Sequence, residues 1–536
     1  MPSKNILRHM PFFQGPPFSS RIILIFILGF LIRLYACQNI FIINPDGALY
    51  IHQARAMYYG NWNDLLSCSL SYLSVYPFFI AGAFSIFQDW IIAARSVSLL
   101  FGTLTLIPLY LLLRRFFDDL TSGLVTLVLA LTPVFVFKSA EIVRGPIYWF
   151  FMVMGLYLFV SQIGGKKYAV RLLLSSLCLF VATWARIEAV LFVIVSCGYI
   201  LVVGQGKRLR KLILFCTPMA IILFFALLAL IAFDQPIAHS LRVGEIGSKF
   251  YAPIVEYRNL RVDLAEWTGR LDPGNLKFFL EKARRLEWFI GFGVLLTYLI
   301  GAFFYPYFLI FLAGLGGLGK RIREDRRIQY LVALSFTALV MLYFHIIQTW
   351  VIADRFFAVF IFPASVFLGF GVQRIQDFLE HRFRLKTVSA GLLLCLAIIT
   401  VALPKDLSPR EADKIVFKQI GEFIAKREGN NSAISVATAT NAIRWVSFYA
   451  NLNYPGSPCP QPYMDFSELM GYNYEEFLQG LKRGKVRYFL WAERQWPQAG
   501  FDFIKCMRPG DFVEIGEWSH PDTGKMVLFS VPSNLE

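Results

Sequence analysis

The sequence predicts a polytopic α-helical membrane protein of about eleven transmembrane helices with a small C-terminal extracytoplasmic α/β domain. Three observations carry that prediction. Of the 536 residues, 57% are hydrophobic and only 16% charged. Apolar runs recur along most of the chain, and a run of roughly 20 residues can cross the roughly 30 Å hydrocarbon core as a helix. The cations then bracket these runs instead of gathering in one patch. A β-barrel is excluded because its strands would be short and alternating. The net charge of +16 would also suit a nucleic-acid binder, but Arg114-Arg115, Lys166-Lys167, Lys207-Arg208-Arg210-Lys211, Lys320-Arg321-Arg323 and Arg382-Arg384-Lys386 fall in every second loop. That is the positive-inside pattern, so the basicity reports topology and no nucleic-acid partner is implied.

In chain order the expected spans are 21–37, 90–113, 120–137, 146–162, 172–184, 189–203, 212–233, 288–312, 328–350, 356–372 and 388–403. Lys4 and Arg8 precede the first and place the N-terminus in the cytoplasm. Arg33 interrupts the first run and is expected to snorkel outward. An odd number of crossings puts the C-terminus outside, so the chain is expected in the cell (inner) membrane with its last domain extracytoplasmic. Three stretches fall on that outer side: 43–89, 234–287 and everything after 404. Within the first, residues 47–59 read as an amphipathic helix lying in the interface, closed by Gly60.

From residue 405 the composition becomes that of a soluble domain, so the chain divides into a membrane domain, 1–404, and an extracytoplasmic α/β domain, 405–536. A helix is expected over 411–427, with strands at 433–437, 486–492, 512–518 and 526–531. Pro521-Asp522-Thr523-Gly524 reads as the turn joining the last two. The eight cysteines include no CxxC pair and no metal spacing, so no metal site is assigned. Cys459 and Cys506 share the last domain, and a disulfide between them is open on either reading. The run Gly314 to Lys320 matches the GxxxxGK phosphate loop, but Arg321 replaces the magnesium-binding Ser or Thr and no strand precedes it. It is read as the flexible end of a span.

Chemistry-bearing residues cluster on the outer side. Asp46 directly follows the first span, in Asn44-Pro45-Asp46-Gly47-Ala48-Leu49-Tyr50, where its simplest role is to cap the next helix. Lys138, Glu141 and Arg144 fall between the third and fourth spans. Arg186 and Glu188 separate two short spans, and Asp354 and Arg355 follow the ninth. Each group alone could be an interfacial anchor or a helical ion pair. Together they bring cations and carboxylates to one membrane face on four loops, and ionisable groups near membrane depth are costly enough to suggest a shared site.

These residues resemble the GT-C superfamily of membrane glycosyltransferases, particularly bacterial relatives of protein O-mannosyltransferases and the lipid A aminoarabinose transferase. The resemblance rests on Asp46, Tyr50, Ala54 and Gly60 after the first span, Tyr76-Pro77 in the same loop and Arg144 before the fourth span. It extends to Arg186 with Glu188, to Arg355-Phe356-Phe357 with Pro363, and to the C-terminal domain. It implies transfer of a sugar from a polyprenyl-phosphate donor to an extracytoplasmic glycan, lipid or protein acceptor, with inversion. Asp46 would be the general base, Arg144, Arg186, Arg355 and Lys138 would hold the donor phosphate, and Tyr50, His52, Glu141 and Glu188 are candidate substrate-binding groups. Some members use a divalent metal and others none, so one is compatible without being required. The alternative is a transporter or lipid flippase of the same envelope pathway. Such proteins usually show repeated halves and broken mid-membrane helices, and neither is visible in the sequence.

Overall fold

The computed structural model describes residues 20–70, 72–163, 168–203, 207–232, 243–429, 431–439, 442–460, 466–497 and 500–532. Lys4, Arg8, Lys166 and Lys167 lie outside these. The contacts divide the chain into two units. One comprises residues 1–34, 99–139 and 145–407, and the other 35–98, 140–144 and 408–536.

The described residues of the first unit are mainly helical, and the expected apolar runs fall on helices, some of them broken. Among the described residues, eight helices are long and apolar enough to cross a bilayer, or nine if the bent pair Asp119–Ala130 and Pro133–Ala140 counts as one. The apolar helices Ile22–Gln38 and Ile187–Val202 are shorter than that measure. The protein is thus a multi-pass membrane protein. The expected span 288–312 is interrupted: helix Asn275–Ala302 ends, Phe304 and Tyr305 take positive φ, and Pro306 starts helix Pro306–Leu315. Pro at a first helical position is preorganised for that restart.

Arg33 does not snorkel. It is 1% exposed and donates to Gly29 O and Ala130 O, both at 2.9 Å, and to Ser139 Oγ at 3.3 Å. The reason lies in the 58° bend between helices Asp119–Ala130 and Pro133–Ala140. A helix that stops leaves its last carbonyls without amide donors, and a guanidinium supplies the missing hydrogens to Ala130. The expected interfacial cation is therefore a structural brace of the bent pair.

In the second unit a four-stranded sheet has the order β1-β2-β4-β3, with β1 Val436–Thr438, β2 Tyr488–Ala492, β3 Val513–His520 and β4 Gly524–Ser530. Strand β1 runs parallel to β2, and the remaining pairs are antiparallel. The period-2 alternation of strands sends Phe489, Val527 and Phe529 into an aromatic core with Phe477 of helix Tyr474–Arg483 and with Phe503. Helix Ile415–Glu428 meets β3 through Phe423 on Trp518, at 5.6 Å between ring centroids, and Phe417 on His520, at 5.2 Å. The expected helix, strands and Pro521–Gly524 turn are all present.

Residues 35–98 belong to this same unit, and their helix Pro45–Tyr58 is not an interfacial amphipath. Every residue from Gly47 to Ala56 is buried. Gly60, at φ 74°, follows it in the left-handed region favoured after a helix C-terminus. Cys459 is bonded to Cys68, 391 residues away in sequence, whereas Cys506 is a free, exposed thiol. The Cys459–Cys506 pairing considered from the sequence is thereby replaced.

Candidate active site

Asp46 does not cap its helix. Asn44 occupies the capping position, with extended φ and ψ, Pro45 is the first helical residue, and Asp46 stands in the first turn. A carboxylate there still complements the positive end of the helix dipole, but its side chain is turned to another task. Oδ1 lies 3.3 Å from Arg444 Nη1, with the Asp46 side chain 44% exposed and that of Arg444 25%. The carboxylate is therefore ion-paired yet accessible. A Cβ at Gly47 would lie 2.9 Å from Ile142, so glycine there allows the start of the helix to pack against residues 140–144.

In the same unit the Arg144 guanidinium lies 4.7 Å from the centroid of the Tyr72 ring, a favourable cation–π geometry. Glu141 is 3.9 Å from Arg410. Tyr50 is 4% exposed and packs edge-on against Tyr76 at 5.4 Å. His52 is 2% exposed, and its two ring nitrogens face the carbonyls of Asp64, at 2.9 Å, and Pro458, at 3.3 Å. Burial pulls its pKa below the ordinary histidine value, outweighing the two carbonyls that favour the proton.

The helical unit holds the other candidates. Arg186, 6% exposed, meets both oxygens of Glu188, with Nη2 to Oε1 at 3.0 Å and Nε to Oε2 at 3.3 Å. Its guanidinium also lies 4.3 Å from the Phe356 ring centroid and 5.8 Å from that of Tyr148. The Tyr148 hydroxyl is buried without a hydrogen-bond partner among the described residues. Arg355 stands in the short 3-10 turn Asp354–Phe357, next to the ring that Arg186 covers. Lys138 is half-buried on helix Pro133–Ala140.

Beside Arg186 opens an apolar cavity of about 240 Å³. Val190, Leu191, Ile194, Met341 and Phe356 line it, and Glu188, His345 and Gln348 supply its polar groups. An apolar chamber with a few convergent polar side chains is the usual form of a ligand site. It can accept a hydrocarbon chain while placing a charged head beside Arg186.

The sequence did not single out Arg444, Tyr72, Tyr148 or His345. Tyr148 stands four residues after Arg144 and opens a span, which is a usable signal. Arg444 lies 398 residues from Asp46, and no local pattern links them.

The fold is shared with solved GT-C glycosyltransferases. Two solved structures make the comparison concrete. ArnT from Cupriavidus metallidurans bound to undecaprenyl phosphate matches at a TM-score of 0.58 and 12% identity, over 96% of this chain and 98% of that one. The archaeal oligosaccharyltransferase AglB from Archaeoglobus fulgidus, in complex with an inhibitory peptide and a dolichol-phosphate, matches at 0.55 and 13% identity, over 88% and 69%. The same oligosaccharyltransferase has been solved with Zn and sulfate. No family model and no curated protein sequence matches this chain.

Proposed function

We propose that the chain is an inverting glycosyltransferase that moves a sugar from a polyprenyl-phosphate donor to a glycan, lipid or protein acceptor on the outer side of the cell membrane. One observation carries this reading: an apolar cavity stands beside the ion pair of buried Arg186 with Glu188 in a fold shared with a protein solved with undecaprenyl phosphate.

The chemistry assigns the roles. The leaving group is a phosphate, already a weak base, so it needs cations more than a proton. Arg186 and Arg355, with Arg144 and Lys138, hold its oxygens, since a guanidinium can pair with two of them at once. The Tyr148 hydroxyl, buried and without a hydrogen-bond partner among the described residues, donates one more hydrogen bond to the same head group. Asp46 takes the proton of the acceptor hydroxyl as its oxygen attacks the anomeric carbon. The bond from that carbon to the phosphate oxygen breaks with its electrons on phosphate, and the configuration inverts. General-base assistance of this kind contributes about 10² to 10⁴ in rate. Among the described residues no group of three or more His, Cys, Asp or Glu side chains is placed to hold a metal ion, and no step is routed through one.

The test is transfer of radiolabel from undecaprenyl-phosphate sugars to native envelope acceptors in proteoliposomes. Asp46→Asn should insert normally and lose transfer by at least about 10²-fold, while Arg186→Ala should weaken binding of undecaprenyl phosphate itself. Full turnover by Asp46→Asn removes the base, and undiminished lipid-phosphate affinity in Arg186→Ala removes the phosphate assignment.

A further inference from the structure

We propose that Arg444 is a positioning residue for Asp46, and that a clamp formed by residues 443–459 delivers it. The inference rests on the reading of Asp46 as the base. Its starting point is the 3.3 Å contact between Arg444 Nη1 and Asp46 Oδ1, in which the cation is the more covered partner. A carboxylate gripped by a guanidinium loses freedom of rotation. Its solvent-accessible part is thereby turned in a fixed direction. A base must be aimed as well as ionised, because a misplacement of about 1 Å costs on the order of 10²-fold in rate.

The surroundings of Arg444 hold that aim. It lies on helix Ile443–Ala450, and the next residue, Trp445, donates its indole N–H to Ile43 O at 2.6 Å. From the same helix the Tyr449 hydroxyl accepts Ile43 N–H at 3.1 Å. Both main-chain groups of Ile43, three residues before Asp46, are thus fixed by the helix that carries Arg444. The far end of helix Pro45–Tyr58 is held as firmly. Arg55 is 2% exposed and donates to the carbonyls of Asn451, Tyr454 and Gly456. Burial pulls its pKa down to about 10, which leaves it charged at neutral pH. Ser457 Oγ donates to Asp64 Oδ2 at 2.8 Å, Asn61 donates to Ser457 Oγ at 3.0 Å, and Cys459 is bonded to Cys68. A helix tethered at both ends by one segment cannot rotate its first turn away from Arg444. That is more organisation than a surface ion pair would require.

The experiment compares Arg444→Ala, Arg444→Gln and Arg444→Lys with the native chain and with Asp46→Asn in proteoliposomes. It uses the undecaprenyl-phosphate sugar that the native protein transfers best, and formation of the Cys68–Cys459 bond reports that the clamp has folded. Expected are a drop in kcat of about ten- to a hundredfold for Ala and Gln, partial recovery for Lys, and a donor KM within about twofold of native throughout. A purely structural role would lower the yield of bonded protein without this split between kcat and KM, and without rescue by Lys. Native kcat in bonded Arg444→Gln, alongside an inactive Asp46→Asn, overturns the positioning role and leaves the base assignment standing. An active Asp46→Asn overturns the base assignment itself.

Discussion

At the scale of single residues, His52 shows how burial decides between two readings of one side chain. A histidine next to a candidate base invites a substrate-binding role, yet both its nitrogens face main-chain carbonyls and the ring is almost wholly enclosed. A neutral imidazole has one N–H for two acceptors, so a proton would satisfy both, but desolvation is the larger effect and lowers the pKa. The unfolded chain therefore binds the proton more readily than the folded one between the lowered value and the ordinary value of about 6.5, and stability rises with pH across that window. Melting of the detergent-solubilised protein at successive pH values should show stability falling as the medium is acidified below about 6.5, with a flatter profile in His52→Gln. An identical slope in both would exclude His52 as the source. The same scale shows what was legible. The residue types around Asp46 were readable, and Asn44-Pro45 even carried the signal that Asn is the cap and Pro the first helical residue. Burial was not readable, because nothing in residues 45–58 reveals the distant segment 451–459 that encloses Arg55 and His52.

At the scale of elements, the apolar runs revealed their helices because length and composition alone set a span. The breaks within them depend on partners. Gly314, the first glycine of the run that imitates a phosphate loop, is explained by helix contact. A Cβ on Gly314 would fall 1.8 Å from Phe367 O, and one on Gly371 equally close to Ile310 O. Helices Pro306–Leu315 and Ala358–Phe383 therefore cross with backbone against backbone, as small residues allow in membrane bundles. Backbone cannot yield as a flexible side chain does, so Gly371→Ala should destabilise by roughly 3 kcal/mol, the upper range for overpacking. Gly293, within helix Asn275–Ala302, meets nothing within 4 Å. Gly293→Ala should be neutral or stabilise by about 0.5–1 kcal/mol through backbone entropy. Denaturant unfolding of the two variants in one detergent checks the contrast, and equal stability would mean that the crossing is looser than the structure has it.

At the scale of the whole molecule, composition marks a change near residue 405, but the contacts of the second unit draw on three separate pieces of chain. The sequence shows where polarity rises. It cannot show that the soluble segment closes upon a loop almost four hundred residues earlier. This changes how the C-terminal segment should be probed. Deleting it to measure acceptor range would also remove Trp445 and Tyr449 from Ile43, and the carbonyls of 451, 454 and 456 from Arg55. Helix Pro45–Tyr58 would then lose the contacts that hold both its ends and the segment that covers Arg55, and activity would fail for reasons unrelated to the acceptor. Cutting the chain without removing any part of it is the cleaner experiment. Gly429 is exposed, with open space where a Cβ would stand, so a protease site inserted after it should be cleaved in the folded protein. Cys68 precedes the cut and Cys459 follows it. The cleaved chain should run as one band on a denaturing gel without reductant and as two with it. In native detergent the fragments should stay together even after reduction, held by the carbonyl contacts of Arg55 and the indole of Trp445. Two bands without reductant would refute the Cys68–Cys459 bond. Separation on reduction alone would show that the disulfide, and not the buried polar interface, keeps helix Pro45–Tyr58 in its place.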